Sequence, residues 1–162
     1  MPPAYDRIAI ILHWSVALLI LVQYTTGWTW GNFERGSEPR FYLFRTHIYT
    51  GYAILGLALV RIAWRLTHRA PPLPPGMARL TALAAGATHG LLYLAILVMP
   101  LLGLLASTAF GKSLGRWPGA THVALSYVVV GIIALHAGAA LWHQFIRRDG
   151  LLLRMWPAGR RS

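Results

Sequence analysis

Apolar residues in this chain run on past the point where an amphipathic period would interrupt them. Four such stretches, roughly Ile8–Trp30, Phe41–Leu66, Leu80–Thr108 and Ala120–Ile146, are each longer than the about 20 helical residues that cross a hydrocarbon core. The breaks between them are made of helix-stopping residues: Ala70–Gly76 carries four prolines and a glycine, and Gly111–Gly119 is a Gly/Pro turn region. The pattern predicts an all-α integral membrane protein, a four-transmembrane-helix bundle in a single domain, 1–162, with helices at about 8–30, 41–66, 80–108 and 120–146. The first stretch is expected to be retained, because it is too long for a cleavable signal and no small-residue cleavage site precedes a soluble remainder. No internal repeat, heptad array or low-complexity tail interrupts the plan.

Composition agrees, since 56% of the 162 residues are hydrophobic and only 12% are charged, more apolar side chain than a water-soluble domain of this length can hide. The formal charge of +11 would suit nucleic acid if it lay along one soluble face. It lies instead at helix ends, so membrane lipid headgroups are the expected partner and nucleic acid is not. With both termini inside, the cytoplasmic set is Arg7, Arg61, Arg65, Arg69, Arg79, Arg147, Arg148, Arg154, Arg160 and Arg161, against Arg35, Arg40, Arg45, Lys112 and Arg116 outside. That bias predicts an N-in, C-in orientation. Trp28, Trp30, Tyr42, Trp117, Trp142 and Trp156 fall near the expected interfaces, where amphipathic rings settle.

Absences narrow the chemistry. Without cysteine there is no iron–sulfur cluster, disulfide, thiol catalysis or covalent haem attachment. The four acidic residues, Asp6, Glu34, Glu38 and Asp149, all lie outside the spans, so carboxylate proton relays and carboxylate-bridged metal pairs lack their residues. Intramembrane chemistry therefore rests on histidine. His122 and His136 lie fourteen residues apart on one apolar helix, which puts them on a shared face about 21 Å apart along the axis, a spacing that suits two haems stacked across one bilayer.

Because alternate helices run in opposite directions, depth sorts the imidazoles. His47 and His122 fall in the outer layer, and His13 and His136 in the inner one. A porphyrin clamped by two neutral imidazoles gives six-coordinate iron that transfers electrons rather than binding oxygen, and without cysteine such a haem is b-type and non-covalent. The inner assignment stays open at this point, because His89 lies in the same half and is the alternative ligand; His143, two turns beyond His136, is expected at the cytoplasmic surface. Gly51, Gly86, Gly90, Gly131 and Gly138, near these histidines, would allow close packing, and Trp14, beside His13, is placed to pack on a haem.

Several ordered segments resemble one family over nearly the whole chain: Arg7 to Trp14 (RIAIILHW), Thr46-His47, Arg61-Ile62-Ala63-Trp64-Arg65-Leu66, Pro100-Leu101-Leu102-Gly103, the His122/His136 spacing, and Asp149 to Pro157 (DGLLLRMWP). The chain resembles the bacterial cytochrome b561 proteins, also described as superoxide oxidases. The resemblance implies two b haems with iron ligands at the positions of His13, His47, His122 and His136, in a multi-pass protein of the bacterial inner membrane. It implies further that periplasmic superoxide is oxidised to oxygen and ubiquinone reduced to ubiquinol. Arg35, Arg40, Arg45, Lys112 and Arg116 oppose only Glu34 and Glu38 outside, an excess that would steer a small anion inward or draw an acidic redox partner. His89 and His143 are the candidates for proton supply or quinone contact. The competing expectation is an electron conduit or anchor subunit that connects the quinone pool to a separate dehydrogenase or reductase.

Overall fold

The computed structural model describes residues 4–73 and 76–156. Among them there is no strand, and four long helices carry the fold: α1 (Arg7–Thr29, continued by a 3-10 turn, Trp30–Asn32), α2 (Glu38–Thr67), α3 (Arg79–Ser107) and, after the short α4 (Ala109–Ser113), α5 (Trp117–Trp142). All four are long and apolar enough to cross a membrane. Two of them begin about three residues before the apolar run does. Pro39 and Pro118, at the first positions of α2 and α5, have no N–H to leave unsatisfied and a φ already suited to a helix.

Packing follows chain order, α1 on α2, α2 on α3 and α3 on α5. Side chains join α1 to α5: the Tyr24 hydroxyl donates to the Ser126 carbonyl at 2.7 Å, and Trp28 stacks on Tyr127 with ring centres 6.5 Å apart. The core is thin, limited to residues such as Ile10, Val16, Ile54 and Ala58, while Leu135, in mid-helix, is 73% exposed. Apolar side chains turned outward all round a bundle are matched to lipid, where nothing drives them inward. In that medium polar groups must be satisfied within the chain, and the hydroxyls of Thr25, Thr26, Thr29, Thr50 and Thr67 each bond back to the carbonyl four residues earlier.

The end of the bundle that carries both termini is tied across several segments. After Trp142 the helix widens into a π-turn, His143–Arg147, which stops at Arg148 in the left-handed conformation (φ 53°), with the Asp149 amide returning to the His143 carbonyl. The chain then folds back through a 3-10 turn, Leu152–Met155. Tyr5 N–H donates to the Arg154 carbonyl, the Trp14 indole to the Met155 carbonyl at 2.7 Å, and buried Arg154 to the Pro72 carbonyl at 2.6 Å. Pro74, Pro75, Pro157, Arg160 and Arg161, used above for the break, the tail motif and the charge bias, lie outside the described residues.

Asp6 joins two helices at this end. Its carboxylate caps α1 by accepting from the Ala9 amide at 2.8 Å and also accepts from the Trp64 indole of α2 at 3.1 Å. Burial works to raise its pKa, but these hydrogen bonds outweigh burial and hold it below the ordinary 3.8. Asp6→Ala should therefore lower stability by about 0.5–2 kcal/mol, the usual cost of an N-cap, measured as the thermal midpoint in detergent. A depressed carboxylate contributes fully above its unfolded pKa and ceases to as pH falls through the folded value. The gap between wild type and variant should thus be complete at pH 6 and narrow only as pH falls through the depressed folded value.

Candidate functional site

Histidines from three helices meet in two layers. At the end opposite the termini, His47 of α2 faces His122 of α5 with ring centres 6.1 Å apart; deeper toward the termini, His13 of α1 faces His136 of α5 at 6.2 Å. Metal–imidazole bonds are about 2.0–2.1 Å long and a ring centre lies about 1.1 Å behind its nitrogen, so two imidazoles in line through one metal have centres about 6.3 Å apart. Both pairs fit that figure. The His89–His136 distance, 5.2 Å, falls a full ångström short of it, and His89 is exposed on α3 with its ring bonded back to the Ala85 carbonyl. Of the two inner couples, His13–His136 lies nearer that figure.

The outer imidazoles are oriented by main chain. His47 Nδ1 lies 3.2 Å from the Gln23 carbonyl and 3.2 Å from Thr26 Oγ1, whose own proton goes to the Val22 carbonyl at 2.7 Å. Both neighbours accept, so Nδ1 holds the proton and Nε2 keeps its lone pair for a metal. Gln23 returns the bond, its amide donating to the His47 carbonyl at 2.8 Å, which clamps α1 to α2 at this depth. His122 Nδ1 likewise faces the Met99 carbonyl of α3 at 3.0 Å. Pro100, inside α3, lacks the N–H that would bond the Ile96 carbonyl, which interrupts the helical ladder beside this contact.

Close approach to these rings depends on glycine. A Cβ at Gly27 would sit 3.0 Å from His47 Cε1, and one at Gly103 would sit 3.2 Å from His122 Cε1. Gly51 makes room for the Gln23 amide, 3.0 Å from where its Cβ would be. Gly86, Gly90, Gly131 and Gly138, read from the sequence as packing positions, would meet nothing within 4 Å. The two glycines that brace the imidazoles were not singled out as such, although Gly103 closes the Pro100–Gly103 motif.

The inner layer is differently furnished. His13 Nδ1 faces Arg61 Nη2 of α2 at 3.1 Å, and Arg61 Nε lies 3.4 Å from the Tyr93 hydroxyl of α3. Counted from the sequence as a topological charge and as the first residue of the 61–66 motif, Arg61 stands in fact against a candidate ligand. Trp14 packs edge-on to His13, with centres 5.4 Å apart, and edge-on to Trp156 at 5.9 Å. His143, expected at the surface, is instead largely covered: its side chain is 12% exposed and paired with Asp149. The π-turn rotates the ring back over the helix end, where the Asp149 carboxylate also holds the Leu151 amide.

At the opposite end the five expected steering cations divide. Arg40 is held by the Phe33 carbonyl at 2.8 Å and lies over the Trp30 ring, and Arg45 donates to the Tyr49 hydroxyl at 2.6 Å. Arg35, Arg45, Lys112 and Arg116 are exposed, so the positive field faces outward on the side of His47 and His122.

Among the described residues no group of three or more His, Cys, Asp or Glu side chains forms a metal cage. Two imidazoles cannot saturate a bare transition-metal ion; a macrocycle that brings its own four equatorial nitrogens needs only such a pair. The residues fit haem by spacing, by tautomer at the outer pair and by the glycines beside the rings.

A family model described as prokaryotic cytochrome b561 matches residues 4–158. The chain is 36% identical to cytochrome b562 of Cereibacter sphaeroides over 157 residues, covering 94% of this chain and 95% of that one. It is 30% identical to the probable superoxide oxidase CybB of Yersinia pestis, covering 99% of both, and 30% identical to cytochrome b561 homolog 1 of Escherichia coli K12, covering 94% and 97%. The chain belongs to the prokaryotic cytochrome b561 family, multi-pass membrane proteins that bind haem b and transfer electrons.

Proposed function

We propose that this protein is a two-haem superoxide:ubiquinone oxidoreductase of the bacterial inner membrane, oriented with both termini in the cytoplasm. The observation that carries the two-haem reading is the pair of imidazole couples at 6.1 and 6.2 Å, one in each layer. His47 and His122 hold the outer haem, and His13 and His136 the inner one, both without a covalent bond. Bound there, haem b would supply reversible one-electron iron chemistry, and with two imidazoles from the chain on each iron it would exchange electrons rather than bind oxygen.

The chain's own residues do the rest. Gln23, Thr26 and Met99 hold the outer rings in the tautomer that leaves Nε2 free, and Gly27 and Gly103 set how closely the rings are approached. Arg35, Arg45, Lys112 and Arg116 attract a small anion to the outer end, which agrees with superoxide as the donor, as does the name of the Yersinia relative. Two superoxide ions each lose one electron to give two oxygen molecules, and one ubiquinone takes both electrons and two protons to give ubiquinol. His89, exposed at the terminus-side depth, is the group assigned to proton delivery, with the His143–Asp149 pair at the same end. An acidic redox protein would be drawn by the same charges, and this is the conduit reading.

Dithionite-reduced minus oxidised spectra, with haem counted per purified chain, test the first step. Two low-spin b haems are expected in wild type, falling to about one in His47→Ala and in His122→Ala; no haem, or two in either variant, would sink the ligand assignment. The donor is tested by adding a superoxide generator and ubiquinone-1 to the purified protein. Quinol formation that needs no other subunit supports the oxidoreductase, and dependence on a co-purifying dehydrogenase supports the conduit.

Steering makes a further prediction. Superoxide-driven quinol formation should fall about threefold or more between about 20 mM and about 300 mM salt, as screening shortens the reach of the outer charges. Lys112→Glu combined with Arg116→Glu should slow the reaction at low salt and flatten its salt dependence. A rate indifferent to both would remove the electrostatic role.

A further inference from the structure

Arg61 lies on α2 six residues before its last residue, Thr67, within a membrane-spanning helix, and it is only partly exposed. A guanidinium stays charged at any working pH and is costly at such depth unless an anion meets it. The groups in contact with it here are neutral: His13 Nδ1 at 3.1 Å, the Tyr93 hydroxyl at 3.4 Å and the Tyr93 ring, whose centre is 5.5 Å from the guanidinium carbon. The Asp149 carboxylate is held by His143. Asp6 is engaged by the Ala9 amide and the Trp64 indole, and Glu34 and Glu38 belong to the opposite end.

The contact with His13 also conflicts with metal ligation. Arginine has donors only, so His13 Nδ1 accepts, which places the imidazole proton on Nε2. A ligand imidazole bound through Nε2 carries its proton on Nδ1, and two donors would then oppose each other across 3.1 Å. Were Nδ1 the ligand, the guanidinium would occupy the metal's place. Either way Arg61 must leave His13 when iron binds and find an acceptor within reach of its flexible stem. The outer pair has no such conflict, because its Nδ1 atoms already face carbonyls.

We propose that Arg61 is the counter-ion of the inner haem, pairing with a haem propionate, with Tyr93 supporting the guanidinium. The inference rests on the two-haem reading above and names Arg61 as a positioning residue, since it acts on the iron only through the propionate. A carboxylate and a guanidinium make the strong, charge-assisted hydrogen bonds that a membrane interior favours. A guanidinium that offsets the propionate's charge favours the ferrous form of the inner haem relative to a chain without Arg61.

Potentiometric titration of the purified two-haem protein, with Arg61→Gln and Arg61→Lys alongside, tests this. The wave that disappears in His136→Ala identifies the inner haem. In Arg61→Gln that wave is expected to move negative by about tenfold in its reduction equilibrium, about 59 mV for one electron; the outer wave should stay put and two haems remain. Arg61→Lys should recover part of the shift. Two haems with both waves unmoved overturn the proposal alone, including the case where quinone reduction falls and the guanidinium serves a reduced quinone instead. A wild-type chain without haem overturns both readings. Should Arg61→Gln fail to hold the inner haem, loading the wild-type apoprotein with haem dimethyl ester decides. Preference of the inner site for the free acid supports the pairing, and equal uptake of ester and acid overturns it.

Discussion

The chemistry of this bundle depends on the direction in which buried imidazoles point, and at the outer end main-chain carbonyls set that direction. A helix carbonyl has two lone pairs and gives one to its own helix, so Gln23 and Met99 can each accept a second hydrogen bond from a neighbouring helix without unwinding their own. In lipid no water competes for that second position. The same contacts tie α1 to α2 and α3 to α5, so orienting a ligand and fastening the bundle are one act. Glycine at 27 and 103 is the steric side of this arrangement: a methyl group at either position would press on the ring that the carbonyl is holding.

Much of this was legible in the sequence, and the reason is depth. Span length and the alternation of helix direction fix the height of every residue in a four-helix bundle. Height alone paired His47 with His122 and gave His136 its choice between His13 and His89. What height does not give is rotation about each helix axis. These spans are apolar all round, so no amphipathic stripe announces which face of α2 meets α1, and Arg61 could be read as a charge near a helix end and part of a motif but not as a neighbour of His13. Only the packing shows that it stands against His13, that Gly27 rather than Gly86 or Gly131 touches an imidazole, and that His89 comes a full ångström closer to His136 than His13 does. His143 escaped for a local reason: a π-turn adds a residue to one turn of the helix, which a strict 3.6-residue count does not foresee.

The two ends of the molecule are built on different principles. Opposite the termini the connections are short, the cations point outward, and His122 and His47 lie five and nine residues from the starts of their helices. At the terminus end the tail returns under the bundle, with Arg154 buried against Pro72 and Trp156 against Trp14. A tryptophan thus stands between His13 and the tail, so aromatic rings rather than loop charges lie below the inner layer. On the proposed reading this favours a lipid-soluble acceptor such as quinone over a water-soluble one.

The same contrast extends to the ligands' own neighbours. Carbonyl oxygens, the negative ends of peptide dipoles, surround the outer Nδ1 atoms; an N–H directed at such an oxygen makes the imidazole a stronger base and stabilises oxidised metal. A guanidinium does the opposite at the inner layer. On the proposed reading the two haems, about 21 Å apart along the helix axis, would sit in unlike surroundings supplied by the chain. The difference between their potentials would then be a property of three helices, α1 and α3 presenting carbonyls to the outer imidazoles and α2 presenting Arg61 to the inner haem.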